Sequence, residues 1–169
     1  MSVVDVSLDH EFMSKAIELA MRAQDEGEIP VGAIVVYQGK IIGRGWNRSI
    51  QCHDATHHAE IMALREAGQY LQNYRLLDTT LYVTLEPCPM CAGAMVHARV
   101  SRLVYGASDL KTGAAGSVYN LVSTPQLNHQ LEVVGGVEQE HCSMLLSEFF
   151  RRRRQTIKQA KKLRRSQQS

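Results

Sequence analysis

The sequence predicts an α/β fold in which a mixed sheet is flanked by helices. Three observations predict it. Apolar residues recur at helical spacing near the N-terminus, two β-rich runs follow around a short polar turn, and strand-like runs then alternate with helical stretches. The first helix covers about Asp9 to Glu26, because Phe12, Ala16, Leu19, Ala20 and Ala23 share one side; Gly27 and Pro30 punctuate its end. Val31 to Tyr37 and Lys40 to Trp46 read as a hairpin turning at Gln38-Gly39. Arg48 to His57 is loop, and a second helix runs from about His58 to Gly68. Thr80 to Leu85 is a strand that Pro87 ends, and a third helix spans about Cys88 to Ala98. A strand follows at Leu103-Val104-Tyr105. Ala107 to His129 contains Gly113, Gly116 and Pro125 and reads mostly as loop. Leu131 to Val134 is a short strand, backed by Gly135-Gly136. The last helix starts near Val137, carries Leu145, Leu146, Phe149 and Phe150 on its apolar side, and can run into the basic end of the chain. Leu163 to Ser169 gives no signal that separates helix from disorder.

Composition and charge narrow the function. A chain of 169 residues fits one domain with a proper core. No apolar run approaches the roughly 18 residues needed to span a bilayer. Met1 to Glu11 holds three acids and no basic residue, so it does not read as a secretory signal. The four cysteines do not suggest a disulfide framework: two belong to a metal motif, and Cys52 and Cys142 remain as buried or merely tolerated thiols. A reducing cytoplasmic setting is expected. The net charge of +2 conceals an asymmetry. Residues 151–169 carry nine basic residues and no acid, which leaves ten basic against seventeen acidic residues in the first 150. An acidic body with a basic end suits a polyanionic partner, although a basic run can also be a solvated helix end.

Two short segments carry the chemistry: His58-Ala59-Glu60 and Pro87-Cys88-Pro89-Met90-Cys91. They supply three metal ligands and one carboxylate that does not ligate. His58 offers an imidazole, and Cys88 and Cys91 offer thiolates at a spacing that lets both sulfurs reach one ion. Three protein ligands leave the fourth tetrahedral position of zinc to water, as in catalytic sites. The ion lowers the pKa of that water, and Glu60 can carry its proton. A Cys-x-x-Cys alone also suits a redox pair, or a structural zinc whose fourth ligand comes from Cys52, His53 or His57. Redox chemistry has no need of His-x-Glu. His57 lacks the spacing to a glutamate and reads as a solvated residue at the helix start. Both segments fall where a loop or strand gives way to a helix N-terminus, whose positive potential favours thiolates and a nucleophilic oxygen.

The pattern H-x-E…P-C-x-x-C is the known signature of zinc nucleobase deaminases, and the likeness extends further along the chain. Ile29-Pro30-Val31-Gly32-Ala33, Gly45-Trp46-Asn47-Arg48, His58-Ala59-Glu60-Ile61-Met62-Ala63-Leu64-Arg65 and Asn73-Tyr74-Arg75-Leu76 carry it. So do Thr80-Leu81-Tyr82-Val83-Thr84-Leu85-Glu86-Pro87-Cys88, Met90-Cys91-Ala92-Gly93-Ala94-Met95, Lys111-Thr112-Gly113-Ala114-Ala115-Gly116-Ser117 and Phe149-Phe150-Arg151. Over about residues 10–160 the chain resembles the bacterial tRNA-specific adenosine deaminases, which convert the wobble adenosine of an anticodon to inosine. The zinc motif alone marks the wider cytidine deaminase-like superfamily.

The resemblance implies a three-layer α/β/α sandwich with a mixed central sheet, a zinc-dependent deaminase domain at 1–150, and a basic helix or tail at 151–169 that continues the last helix. It implies one Zn2+ per subunit on His58, Cys88 and Cys91, a homodimer, a cytoplasmic location without membrane attachment, and a tRNA anticodon stem-loop as partner. It makes Glu60 the general acid and base for attack of water at C6 of adenine and for loss of ammonia. The backbone around Pro87 would border the nucleophile, Asn47 would bind the flipped base, and Asp109 and Lys111 would meet neighbouring nucleotides. Phe149 and Phe150 would offer stacking faces or pack in the helix core, and Arg151 to Arg154, Arg153 included, would meet phosphates.

The chain departs from this family before the ligand histidine. The family more usually shows Asp-Pro-Thr-Ala-His-Ala-Glu, and here Ala55 and His57 replace the proline and the first alanine. Ser49 stands where proline is common. These changes are expected to loosen the loop and to add a titratable group near the pocket. Two other functions fit parts of the pattern. A small-molecule deaminase of cytidine, guanine or a nucleotide would use the same zinc but not the basic end. A zinc-stabilised RNA-binding module would make Glu60 incidental.

Overall fold

The computed structural model describes residues 6–169. The reading of Met1 to Glu11 as no secretory signal falls, at residues 1–5, outside the described residues. Helix α1 (Val6–Asp25) leads into strands β1 (Gly32–Tyr37) and β2 (Lys40–Trp46), then α2 (Ala59–Leu71), β3 (Thr79–Leu85), α3 (Pro89–His97), β4 (Arg102–Ala107), β5 (Glu132–Val134) and α4 (Gln139–Gln167). The sheet runs β2-β1-β3-β4-β5. β1 pairs antiparallel with both β2 and β3, whereas β3, β4 and β5 are mutually parallel. The two-residue turn at Gln38-Gly39 suffices for the antiparallel hairpin. The parallel step from β3 to β4 needs the crossover that α3 provides.

Period-two alternation divides the strands between two cores. Ala33 and Val35 of β1, Leu81 and Val83 of β3 and Leu103 of β4 face one way, packing with Ala59, Ala63 and Ala67 of α2 and Cys91, Ala92 and Met95 of α3. Ile34, Val36, Tyr82 and Val104 face the other way, against Met13, Ala16, Ile17 and Ala20 of α1 and Cys142 and Leu145 of α4. This is the three-layer α/β/α sandwich with a mixed central sheet that the family resemblance implies. Among the described residues no helix is long and apolar enough to cross a membrane.

One packing detail places the site. Ala59, Ala63 and Ala67 are spaced four apart, so α2 presents a flat face of methyl groups to β2. In β2 that face meets Gly43 and Gly45. A Cβ at Gly43 would overlap the Ala63 carbonyl oxygen, and one at Gly45 would overlap that of Ala59. Backbone therefore lies on backbone, and the start of α2 is fixed against the sheet.

The largest boundary differences have local causes. α2 continues past Gly68 to Leu71 and stops at Gln72, which takes the left-handed conformation at φ 51° and donates its N–H to the Gln69 and Gly68 carbonyls. Gly68 had looked like the stop, but the cap is one turn later. β4 is twice as long as the three residues read from sequence, since Arg102 and Ala107 pair with Thr80 and Leu85. α4 extends to Gln167 and so includes most of the segment that carried no sequence signal.

Candidate metal centre and active site

Both ligand segments occupy helix starts. His58 is the N-cap of α2 and Cys88 the N-cap of α3, with Pro89 opening the helix behind it. An N-cap side chain ordinarily accepts a bond from the first turn. Here the His58 imidazole makes no such bond. The duty passes to Asn47, whose Oδ1 accepts the Ala59 N–H at 2.9 Å. The histidine is thereby left free to turn toward the sulfurs.

The three ligand groups converge. His58 Nδ1 lies 3.6 Å from Cys88 Sγ and 3.5 Å from Cys91 Sγ, and all three ligand atoms lie within 4.8 Å of one another. Zinc bonds of about 2.0 Å to nitrogen and about 2.3 Å to sulfur at the tetrahedral angle put N and S about 3.5 Å apart. The observed edges match that value. The donor set of one imidazole and two sulfurs is also the soft, borderline set that zinc prefers.

Electrostatics agree with a ligand cluster. The Cys88 thiol is pulled down to about 4, chiefly by its hydrogen bond with Cys91 and then by His58, against the opposing effect of burial. The same bond to Cys88, with burial, pushes Cys91 up. His58 is raised, mainly by its bond to Cys88. Glu60 is 4% exposed and points at this cluster from the first turn of α2. Burial raises its pKa above the ordinary carboxyl value, while a bond with Cys91 and the His58 charge pull less strongly the other way. Glu60 is thus a carboxyl able to hold a proton next to the ligand cluster.

Two loops wall the site, and each is held by a buried glutamate that sequence reasoning did not single out as a site residue. Glu28, 1% exposed, accepts the N–H groups of Ile50 and Gln51 at 3.2 and 2.8 Å. Glu86, 2% exposed, accepts from the N–H groups of Asp109 (3.1 Å), Ala115 (3.0 Å) and Ser117 (3.1 Å), and from the Ser117 hydroxyl. The Pro87 carbonyl takes the Ala114 N–H at 2.8 Å, so the same loop also crosses behind Cys88. Partners 22 to 31 residues apart in sequence leave no periodic trace. The available signal was an acid between a strand and a Pro-Cys motif, where an apolar residue would suit burial better.

The loop at 48–57, where Ala55 and Ser49 stand in place of prolines, is tied by hydrogen bonds. Arg48 N–H meets the His57 carbonyl at 3.2 Å, Asp54 N–H meets the Ser49 carbonyl at 3.1 Å, and Asp54 accepts from both the N–H and hydroxyl of Thr56. Glu28 adds its two bonds to Ile50 and Gln51. The reading of His57 is corrected. It is half-buried rather than solvated, and its ring lies 4.0 Å from Asp54. Cys52 is exposed and Cys142 buried, both as free thiols.

Residues 6–107 match the family described as the cytidine and deoxycytidylate deaminase zinc-binding region. Over 156 residues the chain is 55% identical to a tRNA-specific adenosine deaminase of Haemophilus influenzae, covering 92% of this chain and 90% of that one. The chain belongs to the tRNA-specific adenosine deaminase family. A Bacillus subtilis member is 46% identical over 154 residues, covering 91% of this chain and 96% of its own. A solved structure from work on A-to-I editing by tRNA:A34 deaminases at the wobble position has a TM-score of 0.78 at 41% identity, covering 80% of this chain and 99% of that one. A guanine deaminase from Nitrosomonas europaea is more distant, with a TM-score of 0.70 at 26% identity and 81% of each chain covered.

The remaining residues expected at a tRNA deaminase site fall into two groups. Asn47, Pro87, Asp109 and Lys111 stand on the segments around the metal cluster. Asp109 closes its own turn, accepting from the N–H groups of Lys111 and Thr112 at 3.0 and 3.1 Å, while the Lys111 side chain is exposed. Phe149, Phe150, Arg151 and Arg153 stand instead on α4, which packs against the other face of the sheet. Phe149 is half-buried and Phe150 38% exposed; their rings meet edge to face at 5.5 Å. Beyond them every residue of α4 is exposed.

Proposed function

We propose that this chain deaminates adenosine to inosine by hydrolysis at the wobble position of a tRNA anticodon loop. One observation carries the assignment: a His58, Cys88, Cys91 cluster whose two nitrogen–sulfur separations fit tetrahedral zinc has the buried carboxyl of Glu60 beside it. Zinc held by these three residues would supply Lewis-acid activation of water near neutral pH. Glu60 would take one proton from water and deliver it to N1 of adenine, then carry the second, from the new C6 hydroxyl, to the amino group as it leaves as ammonia. Asn47 has its carbonyl oxygen committed to Ala59. Its amide NH2 would therefore be the half that meets an acceptor on the flipped base. The Pro87 backbone would border the reacting carbon.

Beyond the reacting base, Asp109 and Lys111 would meet the flanking anticodon nucleotides. Phe149 and Phe150 would stack on unpaired bases, and Arg151 and Arg153 would meet phosphates, with 151–169 as a basic arm on the 1–150 deaminase domain. At 100° per residue, Arg151, Arg154, Lys158, Lys161, Lys162 and Arg165 share one side of that arm. The chain would act as a homodimer carrying one zinc per subunit, in the reducing cytoplasm. An apolar groove between α2 and α3, lined by Ile61, Leu64, Leu76, Ala94 and Ala98, supports a second copy as the occupant, and light scattering reads the mass. This groove does not include the metal ligands.

The test is incubation of the zinc-loaded protein with total bacterial tRNA, followed by sequencing for A-to-G reads. Conversion confined to a wobble adenosine is the expected result. No conversion would redirect the assignment to small bases, guanine first, the substrate named for the Nitrosomonas europaea relative.

A further inference from the structure

The 109–117 loop is the wall on which Asp109 and Lys111 stand, yet it contributes little to the apolar cores beyond Ala114 and Ala115. Its shape comes instead from one buried side chain. Glu86 Oε1 takes the Asp109 N–H and the Ser117 hydroxyl, and Oε2 takes the N–H groups of Ala115 and Ser117. Both ends of the loop thus converge on a single carboxylate. Gly113 completes the arrangement, since a Cβ there would overlap Glu86 Oε2 and the Asp109 carbonyl. Three of the four donors are backbone N–H groups, so the carboxylate fixes main-chain position and not merely one rotamer.

We propose that Glu86 is a positioning residue for substrate recognition: by gathering the two ends of the 109–117 loop, it sets where Asp109 and Lys111 meet the nucleotides beside the target adenosine. The inference rests on the assignment of Asp109 and Lys111 to those nucleotides. Glu86 touches no reacting atom. It acts at one remove, on a wall of the pocket that must be placed to a fraction of an ångström for productive binding, where a 1 Å error can cost about 100-fold. A carboxylate suits the task because both its oxygens only accept. A glutamine would turn an NH2 toward backbone donors at one of the two positions.

The experiment compares E86Q, K111A and the double variant on two stem-loop RNAs, one intact and one with abasic nucleotides flanking the target adenosine. Zinc content and melting temperature are measured alongside. E86Q should keep one zinc per chain and raise KM for the intact RNA about tenfold or more, with a smaller change in kcat. On the abasic-flank RNA its KM should stay near that of the parent, and its effect should be non-additive with K111A. S117A, which removes a single exposed donor, should shift KM in the same direction by less, and it serves if E86Q folds poorly. Equal losses on both RNAs, additive with K111A, would overturn the proposal and leave Glu86 as a stabilising core acid. If K111A has no effect on the intact RNA, the assignment of that residue fails instead.

Discussion

Two buried carboxyl groups, Asp9 and Glu60, stand on opposite faces of the sheet and have opposite character. Under α1, Asp9 is 3% exposed and forms a two-pronged pair with Arg102, at 2.7 Å on each oxygen, and it also accepts the Tyr82 hydroxyl at 2.7 Å. Burial pushes its pKa up, but the bonds from Arg102 and Tyr82 outweigh it and hold the group below its ordinary value. Under α2, Glu60 is as well buried but meets sulfur and imidazole rather than a guanidinium, and burial prevails. Depth alone therefore does not determine what a buried acid does. The donors around it decide whether it stays ionised and holds the fold, or stays ready to exchange a proton.

Breaking each acid should expose this division. E60Q removes the proton carrier without leaving a cation unpaired. It should cut single-turnover deamination by about 100-fold or more while zinc content and RNA affinity persist and the melting temperature holds or rises. Retained activity would discard the mechanism. D9N should do the reverse. Taking the two-pronged partner from buried Arg102, which keeps only Glu132 at 3.8 Å, should cost up to about 3–5 kcal/mol in denaturant unfolding, with kcat of the folded fraction unchanged. An activity loss exceeding the loss of folded protein would show that the two faces are not separate.

Acid sharpens the same contrast. The native pKa of Asp9 is depressed, so the unfolded chain binds more protons at low pH. Its stabilisation is complete above the unfolded value of about 3.9 and is lost as pH falls through the lower native value. Melting scans between neutral pH and pH 3 should show a steeper decline for the parent than for D9N. The smallest expected effect lies at the basic arm. Truncation after Phe150 should weaken RNA binding while leaving kcat at saturating RNA nearly intact, and should flatten the log–log salt slope of RNA binding by about 0.7 for each lost single-strand contact. An unchanged slope would make the arm a solvated helix end.

What the sequence discloses and what it hides follow the same physical line. The β1–β2 hairpin, with its turn at Gln38-Gly39, was legible because strand alternation and turn chemistry are local. His58, Glu60, Cys88 and Cys91 were legible because metal ligation constrains spacing within a few residues. Glu28, Glu86 and the capping role of Asn47 were not, since each binds backbone 12 to 31 residues away and backbone donors carry no residue identity. The 48–57 loop combines such a distant anchor, Glu28, with bonds between its own residues.

The glycines of β2 have a consequence for how this family could change its substrate. With Gly43 and Gly45 in backbone contact with α2, the floor beneath His58 and Glu60 has no slack: a single added methyl group would jack the helix away from the sheet. New selectivity would have to be cut into the rims at 48–57 and 109–117, each moored at a carboxylate anchor. The chemistry can stay constant while the doorway is remodelled.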